Sequence, residues 1–281
     1  KNSVHLWQYW MKDLQREFKN NLKQSTSNCI KEVVYNMTKL RVHELAKELG
    51  MDAIALTDHG SMFGTIDFYK ACKANGIKPI IGCEVYVAPR SRKDKDPNLD
   101  ARYNHLILLA KNNDGYKNLA KLVSLGYTEG FYYKPRIDKE TLEQYHENLI
   151  CCSACLAGEV NQAILKNNME EAKKVALWFK KLFGEDYYLE IQNNGIKEQV
   201  LVNQKLIELS RELDIPLVAT NDAHYLKRED AYNHEVLLCI QTGKKMSDED
   251  RMKFETDELY VKSPEEMSDY FKNVPEAIEN M

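Results

Sequence analysis

Met51-Asp52-Ala53-Ile54-Ala55-Leu56-Thr57-Asp58-His59-Gly60 sets a short apolar run directly before a polar cluster that holds a carboxylate and a histidine. A run of this length suits a buried strand of a parallel sheet. The form recurs along the chain. Pro79 to Gly82 runs into Cys83-Glu84, a third run begins with Asn104-His105, and a sixth ends in Asn221-Asp222-Ala223-His224. Working outward, apolar and β-branched runs at Ala53 to Leu56, Pro79 to Val87, His105 to Ala110, Leu149 to Ser153, Tyr187 to Gln192 and Leu217 to Thr220 read as strands. Between them, Lys39 to Leu49, Gly64 to Asn75, Tyr116 to Leu125, Met169 to Phe183 and Val200 to Leu213 read as helices, with Gly50, Gly76 and Gly184 where helices should stop. The alternation predicts an α/β fold with a parallel sheet or barrel, whose reactive residues gather at the C-terminal ends of the strands.

The 281 residues exceed the usual single-domain size, but an α/β barrel fills this length around one core. Lys plus Arg is 39 and Asp plus Glu is 43, a net charge of −4. That balance lacks the broad basic surface of a free-standing nucleic-acid binder, so any DNA contact has to be local or supplied by other domains. Seven scattered cysteines in a long chain without a secretory signal fit reduced thiols in a cytoplasm. No apolar run approaches the roughly 20 residues that cross a bilayer, so no membrane partner is expected.

Arg90 to Asp100, charged and carrying Pro97, reads as an exposed loop whose charges face solvent. Beyond Lys227 the chain reads as a helix around Ala231 to Ile240, then a short hairpin or strand at Glu258 to Lys262. Residues 1–35 differ from the rest. Trp7, Trp10 and Phe18 among lysines suggest one amphipathic helix, docked on the remainder, before a polar break at Gln24 to Asn28.

Histidines and carboxylates drawn from several strand ends suit Zn²⁺ or Mn²⁺, because imidazole and carboxylate match such borderline cations. Close-set metals lower the pKa of a bound water and clamp phosphate oxygens, which is what phosphoester hydrolysis requires. One histidine at a strand end is more often structural; four such positions reverse those odds. His43 and His234 lie in helical stretches and His146 before a strand, and all three read as structural or surface residues. Cys152 and Cys155 have C-x-x-C spacing without the flanks of a redox motif, and Cys155 lies where it can reach the cluster. Lys134 and Arg136, set among Phe131, Tyr132 and Tyr133, could touch a phosphate or stack on a base, or simply pack a loop. No P-loop and no dinucleotide-binding Gly-x-Gly-x-x-Gly is present.

Taken in order, Met51 to Gly60, Ile81 to Tyr86, Gly130 to Asp138, Cys152 to Glu159 and Thr220 to Tyr225 closely resemble the PHP (polymerase and histidinol phosphatase) domain of bacterial DNA polymerase III alpha subunits. The match spans roughly residues 38–281. The resemblance implies a distorted seven-stranded (β/α) barrel with a metal cluster in its mouth. It puts His59, Glu84, His105, Asp222 and His224 on ligand positions, Cys155 near another, and Asp58 behind them as an orienting residue. It also divides the chain into an atypical segment, 1–35, and a PHP domain, 36–281, that stops before the polymerase palm.

The departure lies at the start, where the family has a strand followed by a His-x-His pair. If Val4 to Leu6 is that strand, Trp7 and Tyr9 stand in place of the pair; otherwise residues 1–35 are foreign to the barrel. Trp cannot ligate a metal, so the expectation is weak or absent Zn²⁺ or Mn²⁺ binding and lost hydrolysis. The resemblance thus implies a cytoplasmic module of a replicative polymerase, a remnant of a metal-dependent 3′–5′ exonuclease. Its partners would be polymerase domains further along the chain, DNA and a proofreading exonuclease subunit. No paired palm aspartates are found, so the chain by itself is not expected to polymerise DNA. The alternative is a stand-alone metal-dependent phosphoesterase of histidinol-phosphatase type.

Overall fold

The computed structural model describes residues 42–281. The expectations for residues 1–35, including a first strand at Val4 to Leu6, lie outside the described residues.

Helix α1 (Val42–Glu48) leads into β1 (Ala53–Leu56), and α2 (Thr65–Ala74) carries the chain across to β2 (Lys78–Val87), which lies parallel to β1. The connection to β3 (Asn104–Ala110) contains no helix, and β3 runs back antiparallel to β2. Next come α3 (Asn113–Thr128), a two-residue β4 (Arg136–Ile137) beside the end of β2, α4 (Lys139–Tyr145) and β5 (Leu149–Cys152). Strand β5 is also antiparallel to β3, which corrects the all-parallel expectation at one strand. Helices α5 (Glu159–Leu165) and α6 (Met169–Phe183) precede β6 (Tyr187–Gln192); α7 (Lys197–Leu213) precedes β7 (Leu217–Thr220). Both strands continue the sheet in parallel, giving the order β1-β2-β3-β5-β6-β7 with β4 set on β2. Helices α8 (Ala231–Thr242), α9 (Pro264–Tyr270) and α10 (Pro275–Glu279) complete the chain.

The sheet curls. In a flat sheet, five strand spacings would part β1 from β7 by roughly 24 Å. Yet the rings of His59, just past β1, and His224, just past β7, have centroids 6.5 Å apart. The distorted, barrel-like α/β fold expected from the sequence is therefore the fold found.

Strand alternation divides the two faces. Cys83, Val85, Val87, Leu106, Leu108, Leu189, Ile191, Leu217 and Ala219 share one core with Leu119 and Leu122 of α3, Val175 and Phe179 of α6, and Val202 and Leu206 of α7. In α6, Ala172, Val175, Ala176, Phe179 and Phe183 recur at three- and four-residue steps and are all buried, so one stripe of the helix faces the sheet. The opposite, concave face carries Glu84, Tyr86, His105, Glu190, Gln192 and Thr220, and there the fold spends its polar side chains.

Two surface readings change. Arg90 to Asp100 is no merely solvated loop, because Arg92 and Asp100 are buried, and it wraps around Arg136, whose side chain is 0% exposed. That guanidinium donates to the carbonyls of Gly130, Arg92, Asp94 and Asp100 at 2.8 to 3.2 Å. Arg136 is thus internal, in keeping with the packed-loop alternative for that residue. At Glu258 to Lys262 no strand forms; a single pair, Tyr225 with Tyr260, is bridged. The Asn221 side chain takes the place of a strand partner, donating to Tyr260 O at 2.8 Å and accepting from Lys262 N at 2.7 Å.

Candidate metal centre

Beyond β1 the chain keeps pace with β2. The N–H of Glu84 donates to Asp58 O at 3.0 Å and that of Gly60 to Glu84 O at 2.8 Å, which sets His59 alongside Glu84. Gly60 has φ 64°, and a Cβ there would lie 2.7 Å from the Tyr86 ring, so the turn requires glycine on both counts. His105 lies opposite Tyr86 in the β2–β3 register. Because β3 runs backwards, its first residues reach the same end of the sheet as the last residues of β1 and β2.

These elements gather His59, Glu84 and His105 so that one ligand atom from each lies within 4.8 Å of the others. The Glu84 carboxylate bridges the pair: Oε2 touches His59 Nδ1, and Oε1 lies 3.1 Å from His105 Nδ1. Glu84 and His105 are each 4% exposed. Burial pushes the Glu84 pKa up, but the two imidazoles more than offset it and hold the carboxyl well below the usual range. Cys155 Sγ lies 3.5 Å from His105 Nδ1 and 3.8 Å from Glu84 Oε1. Burial first, then Glu84 and Asp222, push its thiol pKa well up, so without a nearby cation the sulfur keeps its proton.

A divalent metal fits this arrangement on the structure's own terms. His59 Nδ1 and Glu84 Oε2 face each other, buried, with no hydrogen bond between them or to any other group, and the donors are two imidazoles, a carboxylate and a thiol. Other expected residues stand further off. The His224 ring approaches His59, and its Nδ1 lies 2.8 Å from Asp222 O. Neither His224 nor Asp222 enters the tight three-residue group. Asp58 is buried, and its carbonyl accepts from Cys83 Sγ at 3.1 Å. Lys134 Nζ lies 5.8 Å from the centroid of the Tyr86 ring, which stacks on His59 at 6.4 Å.

Sequence reading missed Glu190, a carboxyl on β6 buried between Ala154 N–H, Thr220 and Gln192. Burial pushes its pKa up to about 7, against the hydrogen bonds from Thr220 and Gln192 and with the help of Asp222 and Glu84. The available signal was a lone acid within the apolar strand Tyr187–Gln192.

His234 of α8 packs edge to face on His224 at 5.5 Å and stacks on Phe254 at 5.7 Å, in keeping with a structural role. Burial, then the charge of His224, lowers its pKa to about 3. A histidine kept neutral in the fold contributes stability above its unfolded pKa, near 6.5, that is lost as pH falls towards the folded value. At pH 5 the loss should be roughly 2 kcal/mol. Urea unfolding of the chain and of His234→Leu at pH 5 and 7.5 checks this: the variant should lose less stability on acidification, and equal losses in both would refute it.

Residues 30–194 match the family model described as PHP domain. The chain is 56% identical over 236 residues to the DNA polymerase III subunit alpha of Borreliella burgdorferi, covering 84% of this chain and 21% of that protein. It is 51% identical over 242 residues to the DNA polymerase III subunit alpha of Treponema pallidum, with coverages of 85% and 21%. The chain thus spans about a fifth of the length of the curated relatives it matches. Among solved structures, a Bifidobacterium adolescentis protein assigned as a metal-dependent phosphoesterase matches at a TM-score of 0.35 and 11% identity, over 67% of this chain and 84% of that one. That likeness is too distant to bear on the site.

Proposed function

The chain belongs to the PHP domain family, and on that premise we propose that it is the N-terminal PHP region of a bacterial replicative DNA polymerase alpha subunit, with residues 36–281 as the domain. The observation that carries the reading is the high identity to such subunits across most of the chain. The polymerase domains of the same polypeptide and DNA are its partners, a proofreading exonuclease subunit is a further one, and the cytoplasm is its setting. Among the described residues no helix is long and apolar enough to cross a membrane.

Within this reading the barrel supports the polymerase and keeps the remains of a phosphodiesterase site. His59, Glu84, His105 and Cys155 would hold one Zn²⁺ or Mn²⁺, with Asp222 and His224 at its rim, Asp58 orienting His59 and Lys134 meeting a phosphate. A cation there would supply Lewis-acid polarisation of a phosphoryl oxygen and a more acidic water. Glu84 would offset part of the cation's charge while it joins two imidazoles; Tyr86, stacked on His59, fixes the ring plane. With Trp7 and Tyr9 in place of the family's histidine pair, or with residues 1–35 foreign to the barrel, the cluster would be short of ligands for further ions and hydrolysis would be lost.

Metal analysis of the purified chain, with a Mn²⁺-dependent assay on a single-stranded 3′ end, tests the proposal. At most one weakly held ion and no nucleotide release are expected. Two or three tightly bound ions per chain would overturn the loss of hydrolysis. Cleavage of small phosphate monoesters but not DNA would favour the stand-alone phosphatase.

A further inference from the structure

Glu190 stands on β6, between the strands whose following turns carry Cys155 on one side and Asp222 with His224 on the other. Its side chain belongs to a residue only 3% exposed. One carboxyl oxygen, Oε2, accepts from the backbone N–H of Ala154 at 3.1 Å. The other, Oε1, accepts from the Thr220 hydroxyl at 2.5 Å and from Gln192 Nε2 at 3.0 Å. The backbone N–H of Glu190 in turn donates to Ser153 Oγ at 2.8 Å. One acid therefore ties the turn after β5 to the last residue of β7.

Both turns need holding. Ala154 has φ 64° and Asp222 has φ 51°, a left-handed conformation that costs a residue with a Cβ about 1 kcal/mol or more. Such a conformation persists only where surrounding bonds fix it. For Ala154 those bonds are the Glu190 carboxyl on its N–H and the Asn161 side chain on its carbonyl, at 3.0 Å. The next residue is Cys155, whose Sγ reaches His105 and Glu84.

We propose that Glu190 is a positioning residue of the metal centre: by bonding the Ala154 N–H it fixes the turn that presents the Cys155 sulfur to a divalent cation beside Glu84 and His105. This rests on the reading of His59, Glu84, His105 and Cys155 as a cation site. Glu190 does not touch the cation. It acts through the backbone of one turn, as a hydrogen-bond acceptor.

Titration of the chain with Co²⁺ gives a readout that a purely structural role would leave unchanged, because thiolate ligation produces a sulfur-to-cobalt charge-transfer absorption. Glu190→Ala should lose that band and bind Co²⁺ about 10-fold more weakly. Glu190→Gln should keep most of the band, since its amide oxygen can still accept from Ala154 N–H while its NH₂ group donates to Thr220 Oγ1 and, once the Gln192 amide turns over, to Gln192 Oε1. If Glu190→Ala does not fold, as judged by circular dichroism, Glu190→Asp replaces it. One methylene too short to hold Ala154, that variant should also lose the band. A band undiminished in the Ala or Asp variant overturns the inference, as does a loss in the Gln variant as complete as in Ala. If the unaltered chain binds Co²⁺ with no such band, Cys155 is not a ligand, and the reading beneath the inference falls with it.

Discussion

Glu84→Ala should weaken divalent-metal binding by at least about 100-fold, more than is typical for loss of a residue that only supports a ligand. Glu84 is the one anion lodged between two imidazoles, and both of its oxygens are engaged by them. Without it, a cation drawn to His59 and His105 would lose the carboxylate that balances part of its charge in a buried space, an expensive loss in low dielectric. Glu84→Gln keeps the shape but removes the charge, so it should lose nearly as much. The measurement is calorimetric titration with Zn²⁺, paired with thermal unfolding with and without the ion, since a ligand that binds only the folded state raises its apparent stability. The unaltered chain should gain in midpoint with Zn²⁺ and the variants should not. Equal Zn²⁺ affinity in Glu84→Ala would place the ion elsewhere, and an obvious alternative is the rim formed by Asp222 and His224.

How far this centre could be read from sequence depends on what each signal reports. Length and β-branching identify a strand, and six of the seven strands were legible to within a residue or two; β4, with two residues, is below the length at which any pattern exists. Direction leaves almost no local trace. The alternation of helix and strand suggested a parallel sheet, yet β3 runs the other way. There was a sign of it: His105 comes at the beginning of its run, whereas the other metal-capable residues follow theirs. If all of them meet at one end of the sheet, that strand has to be reversed. Charge was misread for a related reason. Composition counts Arg92, Asp100 and Arg136 as polar and so as surface, but Arg92 pairs with Glu129, Asp138 and Glu140, Asp100 pairs with Arg90, and Arg136 satisfies carbonyls, so all three can lie inside. Glu190 was passed over on the same count, as an isolated acid in a strand, where burial rather than residue type carries the information.

Arg136→Ala should destabilise the chain by about 3 to 5 kcal/mol, because four carbonyls lose a charged donor together and each buried acceptor left unsatisfied costs about 1 to 3 kcal/mol. Its guanidinium reaches from β4 to four separate carbonyls, those of Gly130, Arg92, Asp94 and Asp100. Those oxygens would lose a charged donor at once, and the loop from Arg90 to Asp100 would lose the post around which it is wound. Arg136→Lys should recover little, because an ammonium group lacks the planar fork of donors that spans carbonyls on different sides. Gly130 sharpens the point: a Cβ at that residue would stand 1.8 Å from Arg136 O, so the backbone there has closed as tightly as glycine allows. Urea unfolding gives the stability. Limited tryptic cleavage after Lys93 or Lys95 should speed up in the variant as the loop comes loose. The contrary outcome is as definite. If Arg136→Ala unfolds like the unaltered chain yet binds single-stranded DNA less well, the residue reads nucleic acid rather than its own backbone, and the burial described here is not the state that meets DNA.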